Sequence, residues 1–260
     1  MRYLRTAVIA GAAGAVVALS IRFGLSRQAA VARRRIGKPL GEDALNAERL
    51  WRPKLAGEPV RLLMVGDSLA AGLGATRPKE TLGGRLAKAL AKRVGRPVRL
   101  RSVAVVGSES PDLQTQLDAL DAEERVDVAV IVVGGNDVTH RIPVADSARH
   151  LTAAIERLRA RGAQVVVGTC PDLGALRPVP QPLRTLASRL SHRLAAAQAD
   201  AAERAGATSV SLRRTVGPMF FDEPEQMFSM DRFHPSAVGY RRTAEALLPA
   251  VEAALAARTR

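Results

Sequence analysis

Cysteine occurs once in the 260 residues, at Cys170, so neither an intrachain disulfide nor a cysteine-built metal cluster is available. Aromatic residues make up 3% of the chain, and no basic stripe is interleaved with them as a base-stacking surface would need. Histidine is confined to His140, His150, His192 and His234, with no His-x-x-x-His pair to suggest zinc. Gly72-x-Gly74 lacks the third glycine of a dinucleotide loop, and no Gly-Lys-Ser/Thr occurs anywhere, so nucleotide-phosphate loops drop out. No fixed-period repeat appears. The chemistry is therefore expected to run without a metal or other cofactor.

What is present fits a globular chain: 47% hydrophobic and 25% charged residues, with mean hydropathy at zero. The formal net charge is +14, a value that raises nucleic acid or anionic membrane as partners. That charge is uneven. Residues 1–54 carry a net +8 and the remaining 206 residues only +6, and 34 of the 39 basic residues are arginine. Arginine and alanine richness runs through the whole chain and reads as compositional bias, so no nucleic-acid partner is expected.

The uncharged run from Thr6 to Ile21 lies between Arg2 and Arg5 on one side and Arg22 on the other. It is short for a spanning helix, which needs about 20 residues, and closer to the apolar stretch of a signal peptide. The arginines that follow it outnumber those before it, opposite to a standard export signal. Residues 1–25 are read as a hydrophobic signal or anchor that makes the protein membrane-associated or exported. Residues 26–58, broken by Pro39 and Pro53, are read as a basic polar tether with one short helix near 42–51 and with Trp51 docking it on the domain.

From residue 59 to 260 the pattern is that of a single domain. Continuous β-branched runs at 60–65, 98–106, 126–133, 164–169 and, more weakly, 208–212 alternate with amphipathic stretches at 81–93, 111–122, 145–161, 183–205 and 236–257. Uninterrupted apolar strands are those of a parallel sheet covered on both faces. The expected architecture is α/β, a three-layer α/β/α sandwich with about five parallel strands, in which ligands bind beyond the carboxyl ends of the strands.

Four segments with unusual polar groups fall at those ends: Gly66-Asp67-Ser68-Leu69, Gly107-Ser108, Gly134-Gly135-Asn136-Asp137 and Asp231-Arg232-Phe233-His234-Pro235. Together they suit acyl transfer. A serine hydroxyl needs an adjacent base, which His234 can be. Asp231, three residues earlier, can orient the imidazole and stabilise its protonated form. The backbone N–H groups of Ser68 and Gly107 and the side-chain amide of Asn136 would be donors to a tetrahedral oxyanion.

These blocks, in this order, resemble the SGNH-hydrolase (GDSL esterase/lipase) superfamily over roughly residues 60–250, similar to its actinobacterial members. The resemblance implies a flavodoxin-like fold and a metal-independent serine hydrolase, with Ser68, Asp231 and His234 as triad and Ser68, Gly107 and Asn136 as oxyanion hole. Ser102 departs from the pattern, since the family often has Asn five residues before the glycine of the second block. The expected substrate is a small-molecule or lipid ester. An acyltransferase using the same triad, or a non-catalytic membrane-tethered binding domain, are the alternatives.

Substrate-lining positions are expected at Asp67, His140, Phe220 and Met227. Four of the five phenylalanines and three of the five methionines lie in residues 219–233, either as an apolar wall for an acyl chain or as the plug anchoring that loop. Cys170 reads as a buried small apolar residue. His150 and His192 read as surface residues on helices.

Overall fold

The computed structural model describes residue 20 and residues 22–258. The apolar run 6–21 lies, but for residue 20, outside them. Among the described residues no helix is long and apolar enough to cross a membrane.

Six strands form one sheet: β1 (Arg49–Trp51), β2 (Val60–Gly66), β3 (Val98–Ser102), β4 (Val128–Val132), β5 (Gln164–Gly168) and β6 (Thr208–Val210). Their order is β1-β3-β2-β4-β5-β6. All neighbours are parallel except β1, which pairs antiparallel with β3 through Leu50 opposite Arg99. The five parallel strands thus have the flavodoxin-like order, with the first and third of them, β2 and β4, adjacent at the sheet centre. Crossovers leave to opposite sides of that pair, which opens the crevice in which doubly wound folds bind ligands.

Alternation along the central strands supplies both faces of the core. Leu62, Met64, Val128, Val130 and Val132 pack beneath α3 (Leu82–Val94) and α11 (Ala237–Arg258). Leu63, Val65, Ala129 and Ile131 face the other way, toward α4 (Leu113–Asp118) and α6 (Val144–Ala160), with α7 (Leu183–Arg204) beside α6. Every one of these strand residues is essentially solvent-free, as a two-sided parallel sheet requires.

The sixth strand was not legible in the composition. Where a tether was expected over residues 26–58, the structure has a helix, α1 (residues 22–36), and then β1 at the sheet edge. Residues 43–48 carry no helix. Trp51 is buried, as suspected, its indole N–H donating to the Ala47 carbonyl at 3.2 Å and Arg49 stacking over its ring. β3 ends at Ser102, four residues before the expected limit, because the chain there peels off toward the site while Val103 and Val105 still donate to the carbonyls of Met64 and Gly66.

Candidate active site

The turn that carries Ser68 is built by two residues. Gly66 closes β2 with φ +131°, and a Cβ there would lie 1.9 Å from the Val132 carbonyl oxygen, so only glycine lets β2 and β4 approach so closely before the chain turns. Asp67 then caps the short helix α2 (Ser68–Ala71), accepting from the Leu69 N–H at 2.9 Å. Ser68 is left at the helix start, nearly buried, with its hydroxyl directed at the loop before α11.

That loop is folded around one carboxylate. Asp231 Oδ1 accepts from the Ser229 hydroxyl at 2.8 Å and from the backbone N–H groups of Phe233 and His234, each at 3.0 Å. Its Oδ2 meets His234 Nδ1 at 2.6 Å. Arg232 takes a left-handed φ of +57° to let the chain turn back on itself. Burial acts to raise the Asp231 pKa, but the hydrogen bonds from the His234 ring and the two backbone N–H groups outweigh it and hold the carboxyl below its usual value. An ionised carboxylate can only accept, so Nδ1 carries the ring proton and Nε2 presents a lone pair. Nε2 lies 2.9 Å from Ser68 Oγ. A carboxylate, an imidazole and a hydroxyl from positions up to 166 residues apart are therefore joined in one hydrogen-bonded line.

Two of the expected oxyanion donors, Gly107 and Asn136, lie on segments joined by a hydrogen bond at Ser108. Gly107 has φ +88°, which turns the segment after β3 around the end of β2. Asn136 sits in α5 (Gly135–His140) and its amide donates to the Ser108 carbonyl at 2.9 Å. One amide hydrogen is used there and the second is free for another acceptor.

The sequence shows Asp137 within its block but not its role, and two further supporting residues, Gln116 and Glu48, not at all. Gln116, from α4, accepts from the Gly66 N–H and donates to the Gly66 carbonyl, both at 2.8 Å, and also donates to the Ser108 hydroxyl at 2.9 Å. It ties the end of β2 to the segment at Gly107-Ser108. Asp137, buried, accepts from the Ser110 N–H at 3.1 Å and the Ser147 hydroxyl at 2.6 Å. Glu48 accepts from the Ser102 N–H at 2.8 Å, bracing the position where Asn was expected. No local pattern announces Gln116 or Glu48, and each of the three answers a backbone donor that is orphaned only in the folded chain.

A cavity of about 80 Å³ opens beside Ser68 and His234, walled by Leu173, Leu176, Val216, Phe220, Phe228 and Phe233 among others. Of the expected lining residues, Asp67 and Phe220 face it. His140 and Met227 do not. His140 is exposed and pairs with Glu109, because α5 ends one turn beyond Asn136 and turns it outward. Met227 is buried beneath α11, its carbonyl accepting from the Ser236 N–H. Burial pushes the Asp67 carboxyl up to about 6 and the Cys170 thiol well above its ordinary value, which makes Cys170 an unreactive part of the core. His192 is not a bare surface residue: its Nε2 meets Asp172 at 2.5 Å and the Ser188 hydroxyl at 3.4 Å. Both contacts use the same nitrogen, so this cluster cannot relay a proton as the Asp231–His234–Ser68 line can. Among the described residues no group of His, Cys, Asp and Glu side chains could hold a metal ion.

Comparison with known proteins shows the family of the chain. The family model described as GDSL-like lipase/acylhydrolase matches residues 64–242. The chain is similar to a GDSL-like esterase of Mycobacterium tuberculosis, 43% identical over 206 residues, 79% of this chain and 65% of that protein. It is also similar to the esterase TesA of Pseudomonas aeruginosa, 34% identical over 106 residues, 41% of this chain and 52% of that one. The chain thus spans between half and two thirds of the length of these curated relatives. A crystal structure of TesA superposes with a TM-score of 0.61 at 25% identity, covering 75% of this chain and 99% of that one. An acetylxylan esterase of Geobacillus stearothermophilus shares the fold, with a TM-score of 0.59 at 16% identity over 75% of this chain and 95% of that one. With its blocks in order on a flavodoxin-like sheet, the chain belongs to the GDSL-like lipase/acylhydrolase family.

Proposed function

We propose that the protein is a serine esterase that cleaves a carboxylic ester through an acyl-Ser68 intermediate. The observation that carries this reading is the unbroken line from Asp231 through His234 to Ser68, with distances of 2.6 Å and 2.9 Å. His234 Nε2 takes the Ser68 proton as Oγ attacks the ester carbonyl, and the tetrahedral oxyanion is held by the N–H groups of Ser68 and Gly107 and the free amide hydrogen of Asn136. The imidazolium, stabilised by the Asp231 carboxylate, then protonates the departing alkoxide, and the alcohol leaves. Water, deprotonated by His234, attacks the acyl-enzyme; collapse expels Ser68 Oγ, which regains a proton as the acid is released.

The cavity beside Ser68 supports a short acyl group. Its volume of about 80 Å³ and its walls of leucine, valine and phenylalanine suit the smallest acyl chains, acetyl above all. We place the hydrolase domain on residues 59–260, with α1 and β1 as an outer layer on it, and assign membrane targeting to the uncharged run from Thr6 to Ile21 between its flanking arginines. Steady-state hydrolysis of p-nitrophenyl acetate tests the core of this reading: Ser68→Ala should lose at least 10³-fold in kcat with its melting temperature unchanged. Wild-type turnover in Ser68→Ala would remove Ser68 from the mechanism.

A further inference from the structure

The N-terminal helix α1 meets the domain on one stripe. Leu25, Gln28, Ala29, Ala32 and Ile36, spaced at helical intervals, are partly or fully buried, while Arg22, Arg27, Arg33, Arg34 and Arg35 are exposed. Ala32 is the only fully buried residue of that stripe. It packs in a cluster with Leu173, Leu176 and Val179, against which Phe228 and Phe233 also rest. Leu173, Leu176, Phe228 and Phe233 are at the same time the wall of the cavity beside Ser68. The helix is thus the outer layer of a wall whose inner surface faces the acyl site.

Three hydrogen bonds hold that layer in place. The Gln28 side-chain oxygen accepts from the Leu183 N–H at 3.0 Å, the Arg35 guanidinium donates to the Pro178 carbonyl at 3.3 Å, and the Arg35 carbonyl accepts from Arg232 at 3.2 Å. The last reaches into the turn between Asp231 and His234. Matched structures are covered over 95–99% of their own length by only 75% of this chain, so about a quarter of this chain has no counterpart in them.

We propose that α1 is a specificity-determining element: docked through Ala32, it is the backstop that closes the cavity and restricts the enzyme to short acyl groups. The inference rests on the acyl-Ser68 reading above. An octanoyl chain is six carbons longer than an acetyl group, and the cavity beside Ser68, about 80 Å³, is bounded on the α1 side by Leu173 and Leu176. Where such a chain presses on the Leu173–Leu176 wall, the space behind that wall is the space α1 occupies.

Two variants in the full chain test this. Ala32→Asp places a carboxylate in the apolar cluster and should lift the helix off the wall. Gln28→Ala combined with Arg35→Ala removes two of the three tethers and leaves the apolar contacts alone. The readout is kcat/KM for p-nitrophenyl acetate and p-nitrophenyl octanoate. For Ala32→Asp the octanoate-to-acetate ratio should rise at least tenfold, with the acetate value within threefold of wild type, and the double variant should raise the ratio severalfold. Parallel changes for both esters, an unchanged ratio or a fall would overturn the proposal. Should Ala32→Asp fail to fold, the double variant decides alone by the same criteria. Wild-type turnover of the acetate ester separates the two claims: active wild type with an unmoved ratio overturns the backstop only, whereas wild type inactive on every ester overturns the esterase reading as well.

Discussion

Replacing Asp67 by Asn probes the buried side of the site. The Asp67 side chain is 6% exposed, and desolvation lifts its pKa from 3.8 to about 6 despite the Leu69 N–H and the nearby His234. A carboxyl whose folded pKa lies above its unfolded value binds protons more tightly when folded. Its contribution to stability is therefore complete below pH 3.8 and is lost as the pH rises through 6. The shift, at about 1.4 kcal/mol per unit, corresponds to roughly 3 kcal/mol in all, of which about 2 kcal/mol falls between pH 4.5 and 7.5. Asn keeps the cap on α2, since Asn and Asp are equally good in that position, but has no charge to desolvate. Urea denaturation of wild type and Asp67→Asn at both pH values isolates the effect, because the other titrating groups cancel in the difference. The variant should gain about 2 kcal/mol on wild type between pH 4.5 and 7.5, equivalent to roughly 4–8 °C in Tm. A difference that stays flat across this range would refute the reasoning, since it would mean that Asp67 ionises in the folded protein as easily as in water.

Two further substitutions separate catalysis from architecture. Asn136→Ala should lower kcat by about 10²–10³ with a small change in KM, because the amide is worth most when the oxyanion forms; steady-state kinetics on the acetate ester measures it, and an equal loss through KM alone would assign Asn136 to substrate binding. Gly66→Ala should destabilise the fold by at least about 3 kcal/mol, since the new Cβ meets the Val132 carbonyl oxygen at 1.9 Å and the backbone sits at φ +131°; thermal melting reads this, and a melting temperature near that of wild type would show that β2 and β4 need no such close approach.

What could be read in advance, and what could not, divides along a physical line. The parallel strands announced themselves because burial on both faces demands continuous β-branched runs, as in Val128–Val132. Ser68, His234, Asp231 and Asn136 stood out because polar groups at strand ends have no role in the core. Gln116 was invisible by the same logic: a glutamine on a short helix is unremarkable until the Gly66 N–H and carbonyl on its neighbouring strand need partners. His140 was misplaced because closeness in sequence to Asn136 says nothing of which side of a helical turn it leaves from, and the structure sends it toward Glu109. Residues 26–36 looked like a solvated tether because arginines hide a narrow stripe in which alanine is the deepest residue. An alanine stripe has little hydrophobic signal of its own and gains meaning only from the Leu173–Val179 surface it covers.

The most direct test of the central claim is covalent. A fluorophosphonate probe incubated with the purified protein, followed by peptide mass spectrometry, should place a single adduct on Ser68, and His234→Ala should slow its formation by several orders of magnitude. Absence of label on the folded wild-type protein, or an adduct on any other serine, would contradict a hydroxyl activated by the His234–Asp231 pair.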